Sequence, residues 1–301
     1  MTPSAHFLVG TTASGKSGVA QYLAEREGHL IVSADSMNLY RGMDIGTAKP
    51  TPQDRETADY AGFDLADPTE KFNVAAYLNA VRPSFESGRE IIVAGGTGLY
   101  VKCLTEGFDD VAPENKALRA ELEALSFQAL EQRAQTNAAE RYFKLTEDDQ
   151  QNPRRLIRIL EKEPGVESSW NSNPKPKILG LHVERATLLT RIEMRVEQMY
   201  ADGLLAEAEA LIQLDLSPTA LQAIGYAEAF AVLRNKMTLE QAKEKTNIRT
   251  RQLAKRQMTW FRNQLNVEWI DTAEFSTVEK LAEAVSKAWK KIGPTPIILK
   301  K

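Results

Sequence analysis

The sequence predicts an α/β fold: a parallel sheet flanked by helices, with a helical subdomain inserted into it. Three observations carry this. Short apolar runs at His6–Val9, Leu30–Ser33 and Glu90–Ala94 alternate with helical patterns, as βαβ units of a buried parallel sheet require. The first run passes directly into Gly10-Thr11-Thr12-Ala13-Ser14-Gly15-Lys16-Ser17, which fits G-x-x-x-x-G-K-[ST] without mismatch and makes the sheet P-loop NTPase-like. A charged, Ala/Leu-rich helical block from about Ala112 then gives way to a further strand at Lys177–Val183. The expected division is a P-loop core of residues 1–111 and 177–301 with a helical insertion at 112–176.

Composition narrows the class. The 301 residues are 43% apolar and 26% charged, which excludes a disordered or fibrous chain and allows a full core. Net charge is −3, so any nucleic-acid contact must come from local basic clusters. One cysteine, Cys103, excludes an internal disulfide and a multi-cysteine zinc site; its apolar helical setting predicts a buried thiol. With no signal pattern and no run approaching the ~18 apolar residues of a membrane span, the chain is expected to be cytoplasmic.

In order, the first strand ends at the phosphate loop, and a helix from Lys16 to about Glu27 starts on it. Leu30–Ser33 is the second strand. Residues 34–50 then have too little periodicity for a helix, and irregular backbone at the carboxyl end of a parallel strand is where open α/β sheets bind ligands. Asn73 to about Glu86 is helical, with Val74, Tyr77, Leu78 and Val81 on one face. The third strand leads into Gly95-Gly96-Thr97-Gly98, whose glycines allow close backbone approach to a ligand, and a helix starts at Leu99. Helices are expected over 114–135 and, as one helix or a helical pair, over 147–163, with a loop over 162–177. After the strand at 177–183 come helices near 185–201, 204–213, 221–233 and 239–263, an edge strand at Val267–Ile270, and a closing helix at Thr277–Ile292.

Three strand ends therefore bring special loops to one rim. The phosphate loop (Gly10, Thr12, Ala13, Ser14, Gly15, Lys16, Ser17) would wrap a polyphosphate or diphosphate with backbone N–H groups. Lys16 would sit on the terminal phosphates and Ser17 on Mg²⁺. Asp35 suits a Mg²⁺ ligand or a general base, and equally an Asx turn. Thr97 could orient a polar substrate atom or simply occupy a turn. Arg191 and Arg195, one helical turn apart, suit a diphosphate, although Glu193 and Glu197 on the same helix favour a solvated salt-bridge face.

The helix 243–262 carries Lys243, Lys245, Arg249, Arg251, Lys255, Arg256 and Arg262 against Glu244 alone, with Ala254, Met258, Phe261 and Leu265 as its buried stripe. Such charge suits a phosphate backbone, or else a solvated face. Arg154, Arg155 and Arg158 form a smaller basic cluster in the insertion. The residues alone support a P-loop enzyme of a phosphorylated small molecule that binds nucleic acid; a small-metabolite kinase fits the first half equally well.

Taken together, segments Gly10–Ser17, Asp35–Pro50, Gly95–Lys102, Arg191–Leu211, Gln222–Tyr226 and Thr250–Arg262 resemble the tRNA dimethylallyltransferases, or tRNA isopentenyltransferases, in the same order along the chain. The phosphate loop is widely shared. The stretches DSMNLYRGMDIGTAKP and TRQLAKRQMTWFR are far more specific.

The resemblance implies transfer of a dimethylallyl group from its diphosphate to N6 of the adenosine just 3′ of the anticodon. It implies that Asp35 is the general base, that Thr97 contacts the target nucleotide, and that Arg195 binds diphosphate with the phosphate loop and Mg²⁺. It places tRNA contacts at Asp35, Ser36, Met37, Asn38, Thr97, Arg119, Arg154, Arg155, Arg158, Arg249, Arg251, Gln252, Lys255 and Arg256, the insertion gripping the anticodon stem-loop. A monomer is expected. The chain departs from the family pattern at Thr11, Asn38, Ala227 and Ala61-Gly62-Phe63-Asp64, and lacks a Thr-Gly stretch near 162–170. The other readings are an adenylate dimethylallyltransferase, a P-loop metabolite kinase and an inactive RNA-binding protein.

Overall fold

The computed structural model describes residues 3–107, 115–161 and 175–299. The chain divides into two compact units, Met1–Phe108 with Pro174–Lys301, and Asp109–Asn173. The expected loop over 162–177 lies largely outside the described residues, as do the Thr-Gly position near 162–170 and both ends of the insertion.

The larger unit begins with β1 (Ser4–Gly10), α1 (Lys16–Glu27), β2 (Leu30–Ser33), α2 (Pro52–Thr57), β3 (Asp59–Ala61), α3 (Val74–Phe85), β4 (Ile91–Gly95) and α4 (Gly98–Glu106). The smaller unit holds α5 (Lys116–Glu123), α6 (Phe127–Asn137), α7 (Ala139–Phe143), α8 (Glu147–Gln150) and α9 (Pro153–Glu161). The larger unit resumes with β5 (Lys177–His182), α10 (Arg185–Ala201), α11 (Leu204–Leu211), α12 (Pro218–Leu221) and α13 (Tyr226–Leu233). It ends with α14 (Leu239–Gln264), β6 (Asn266–Asp271), α15 (Val278–Ile292) and β7 (Thr295–Pro296).

Strand order is β3-β2-β4-β1-β5-β6, all parallel, with β7 pairing antiparallel to the start of β1. Val9 is paired with Gly95 and Ser33 with Ala94, so the loops after β1, β2 and β4 leave the sheet at one level. That register assembles the rim. Leu8, Ile31, Ile92, Leu179 and Leu181 form the sheet side of a core closed by Val19, Ala20 and Leu23 of α1 and Leu281, Val285 and Trp289 of α15. Burying side chains of this size contributes about 1.5–3 kcal/mol each. Trp289 also donates its indole N–H to the Phe7 carbonyl at 3.1 Å.

Segment 34–50 carries no regular element, as expected, and Cys103 is buried. Four elements lie outside the sequence expectations: α2, β3, α7 and β7 are too short for periodicity to register. The helix expected over 221–233 starts only at Tyr226, as α13, after Gly225 at φ 92°, a conformation that favours glycine; the short α12 ends at Leu221. In the smaller unit, α9 packs on α5–α8 through Leu156, Ile157 and Ile159, against Leu122, Leu130, Ala134 and Tyr142. No helix among the described residues is long and apolar enough to cross a membrane.

Candidate active site

The phosphate loop takes the shape its glycines allow. Gly15 lies at φ 89° and Ala13 at φ 61°, turning successive amides toward one side before α1 begins at Lys16. A β-carbon at Gly10 would meet the Ser14 hydroxyl at 2.7 Å, so that close turn needs glycine. No side chain caps α1, and the N–H groups of its first turn have no intrahelical acceptor. The Thr12 N–H is taken: it donates to Oε1 of Gln257 at 2.9 Å.

Lys16 is half-buried and donates to the Thr11 carbonyl at 3.1 Å. Burial pulls its pKa to about 8; Asp35 opposes that shift and Arg195 adds to it. Burial likewise lowers the pKa of Arg195, against the attraction of Asp35. Lys16, Ser17, Asp35, Asn38 and Arg195 line one cavity of about 370 Å³. An adjoining cavity of about 570 Å³ is lined by Ala13–Ser17 with Arg191 and Arg195. Both arginines thus face the loop, and among the described residues neither forms an ion pair. Their acidic helix-mates turn the other way: Glu197 pairs with Lys243 at 2.6 Å and Glu193 with Arg251. The solvated salt-bridge face expected on α10 is therefore not what Arg191 and Arg195 form.

Asp35 does make an Asx turn, its Oδ1 accepting the Met37 N–H at 2.9 Å, while the residue also lines the cavity. The Thr97 hydroxyl accepts the Ser36 N–H at 2.9 Å and donates to the Ser36 hydroxyl at 3.2 Å; the Thr97 N–H bonds the Ala34 carbonyl at 3.0 Å. The β2 and β4 loops are thereby one unit.

The glycines beside Thr97 have a different reason from the one expected. What approaches them is the protein itself. A β-carbon at Gly95 would meet the Ala34 carbonyl oxygen at 2.2 Å, at Gly96 the Gln257 amide nitrogen at 2.3 Å, and at Gly98 the Trp260 ring at 2.0 Å. Gln257 and Trp260, three apart on α14, thus bracket Thr97.

A second device holds residues 44–46. The Glu207 carboxylate accepts the N–H groups of Asp44 (3.0 Å), Ile45 (3.0 Å) and Gly46 (3.4 Å), together with the Tyr226 hydroxyl. Lys49 is buried and bonds the Tyr40 carbonyl (2.5 Å), Asp44 (2.6 Å) and Asp64 (2.6 Å). These contacts shape the wall at Thr47, Ala48 and Lys49.

A family model described as IPP transferase matches residues 38–264, three quarters of the chain. The chain belongs to the IPP transferase family. It is 36% identical over 308 residues to the tRNA dimethylallyltransferase of Pelotomaculum thermopropionicum, covering 93% of this chain and 94% of that one. A crystal structure of the tRNA isopentenylpyrophosphate transferase of Bacillus halodurans superposes with a TM-score of 0.69 at 34% identity, covering 96% and 97% of the two chains. A eukaryotic dimethylallyltransferase, described as acting on tRNA, shares the fold with a TM-score of 0.75 at 23% identity, covering 97% of this chain and 80% of that one.

In this chain the basic helix α14 is not uniformly free. Arg249 bonds the buried Glu228 at 2.6 Å and the Gln222 carbonyl at 2.6 Å, and the other oxygen of Glu228 caps the Gly225 N–H at 2.9 Å. Arg251 meets Glu193. Gln252, Lys255 and Arg256 are exposed, and among the described residues neither cation has an ion-pair partner. Of the expected stripe Ala254, Phe261 and Leu265 are buried; Met258 is half-buried and lines a groove with Leu188 and Ile192. In the smaller unit, Arg119 meets Glu123 at 3.3 Å and Glu161 at 3.6 Å, Arg155 meets Asp149 at 3.3 Å, and Arg158 reaches Glu161 at 4.0 Å. Arg154 and Arg155 are exposed on α9.

Sequence reasoning passed over Gln257, Glu207, Tyr226 and Glu228. A signal for Gln257 was present: it falls at i+7 from Thr250 and i+3 from Ala254, on the buried side of a basic helix.

Proposed function

We propose that this chain transfers a dimethylallyl group from dimethylallyl diphosphate to N6 of the adenosine 3′-adjacent to the anticodon in tRNA, releasing diphosphate. One observation carries the reading. A carboxylate, Asp35, shares a cavity with the cationic clamp of Lys16 and Arg195 at the phosphate loop. A proton acceptor beside an anion clamp is what N-alkylation by an allylic diphosphate needs.

The N6 lone pair attacks C1 of the allyl group, the C1–O bond breaks, and its electron pair leaves on diphosphate. The N6 lone pair is delocalised into the purine, so removing its proton during attack matters; Asp35 takes that proton. Lys16, Arg195 and the first-turn amides of α1 stabilise the charge gathering on the leaving group. Thr97, tied to Ser36, contacts the target nucleotide.

The residues present fit Mg²⁺. That ion keeps several waters and binds through substrate phosphates with one or two protein oxygens, and Ser17 offers an exposed hydroxyl at the loop. When bound it neutralises diphosphate charge. Asp35–Asn38, the exposed Gln252, Lys255 and Arg256 with Arg251, and Arg119, Arg154, Arg155 and Arg158 of the smaller unit are the proposed tRNA contacts. Bringing the target base out of its stack costs a few kcal/mol. Phosphate contacts offset that cost.

Incubation with labelled dimethylallyl diphosphate and, separately, unmodified tRNA or AMP tests the reading. Label is expected on tRNA. Label on AMP and none on tRNA would overturn it, as would ATP-dependent phosphorylation of a small metabolite in its place.

A further inference from the structure

Two loops must hold two substrates at a fixed separation, yet the sheet pairs β1 with β4 only up to Val9 and Gly95. Beyond that pair, among the described residues, no ladder hydrogen bond links the phosphate loop to the Thr97 loop. One side chain does. The carboxamide of Gln257 accepts the Thr12 N–H at 2.9 Å and donates to the Gly96 carbonyl at 3.1 Å, spanning both loops with a rigid planar group. Its helix is anchored on both sides, by buried Ala254 and Phe261 and by Trp260 seated against Gly98.

We propose that Gln257 is a positioning residue that sets the distance between the diphosphate clamp and the loop holding the target nucleotide, and so commits the allyl group to N6. This rests on the transfer reading above. Gln257 touches neither reacting atom. It acts by keeping Thr12 and Gly96 in register, and the stakes of such register are large, since a 1 Å misplacement costs about 10²-fold in rate.

When the loops drift, the clamp still binds donor, but N6 no longer lies within reach of C1. Water then takes its place. The C1–O bond to diphosphate breaks with its electron pair on the leaving group, water oxygen bonds to C1, and the released proton goes to solvent. The products are dimethylallyl alcohol and diphosphate with no alkylated tRNA. A fold-only role for Gln257 does not produce this uncoupling.

The test compares wild type with Gln257→Ala and Gln257→Glu, reading kcat, both KM values, and diphosphate released per tRNA alkylated. Both variants are expected to lose roughly 100-fold in kcat with both KM values changed less than about threefold. The release ratio should rise above one. Gln257→Glu keeps the size and the acceptor for Thr12 but sets a carboxylate against the Gly96 carbonyl, so it carries the test should Gln257→Ala fail to fold. Gly96→Ala, which forces the carboxamide off the loop, should reproduce the uncoupling. Wild-type kcat with a ratio of one in the variants overturns the proposal, as does a loss shared equally with both KM values at a ratio of one. A wild type that alkylates no tRNA overturns the transfer reading, and this proposal with it.

Discussion

The Thr97 hydroxyl accepts the backbone N–H of Ser36 at 2.9 Å, joining the loop after β4 to the residue that follows Asp35. Its one proton goes to the Ser36 hydroxyl. Any contact it makes with substrate is therefore as an acceptor.

Thr97→Val keeps the shape and removes that acceptor, leaving a partly buried N–H unpaired at about 1–3 kcal/mol. Turnover is expected to fall about tenfold or more, because Asp35 loses its neighbour's anchor, while Thr97→Ser should stay close to wild type. Steady-state kcat of the two variants, with thermal unfolding as the control, checks this; equal activity of Val and wild type would remove the link from the mechanism.

Asp35 presents two roles at once, and one substitution separates them. Its Oδ1 holds the Met37 N–H, which an asparagine carbonyl would hold equally. Asp35→Asn thus preserves the turn and removes the base. Turnover should drop by about 10²–10⁴, with donor diphosphate affinity nearly unchanged. If Asn is active and only Ala is not, Asp35 is a turn residue.

The sheet and its rim were legible in the sequence because the three strand–loop junctions carry their own signals: apolar runs, the phosphate-loop pattern, and glycine pairs. Asp35, Thr97 and Lys16 could be placed by position alone. The status of each cation could not. Arg249 and Lys255 read alike in a basic helix; only the fold sets Glu228, from a helix 21 residues earlier, beneath one of them. Gln257 could be placed on the buried side of its helix by spacing, but its role could not be read, since both its partners are backbone groups distant in sequence. Gly96 and Gly98 were legible as glycines but not for their reason, which is the approach of α14 side chains.

The pKa of Lys16, about 8, gives a pH dependence. In the free protein the ammonium is lost as pH rises through 8, so kcat/KM for the donor should decline above that pH. Bound diphosphate favours the charged form, so kcat should hold to higher pH. For stability the sign is opposite. The folded pKa lies below the unfolded one near 10.4, so the unfolded chain binds more protons between them and stability rises with pH across that window. Lys16→Met, freed of a partly desolvated charge, is expected to melt higher than wild type at neutral pH while losing donor binding. A variant that melts lower would show that the lysine is not held against its solvation.

The cations of α14 separate into fold and RNA contacts by their partners. Glu228 is only 1% exposed, so Arg249→Ala strands a buried carboxylate and should destabilise the protein by about 3–5 kcal/mol in urea unfolding. Arg251 and Glu193 pair near solvent, where such a pair is worth about 0–1 kcal/mol, leaving the guanidinium ready to exchange its carboxylate for a phosphate. Lys255 and Arg256 are exposed and, among the described residues, have no such partner to give up. Lys255→Ala and Arg256→Ala should therefore leave stability near wild type, weaken tRNA binding, and each lower the slope of log K against log salt by about 0.7–0.9. Arg251→Ala should resemble them. Arg249→Ala, measured where it remains folded, should leave that slope in place. A slope that falls for Arg249 and not for Lys255 would reverse the assignment and put the RNA on the opposite side of the helix.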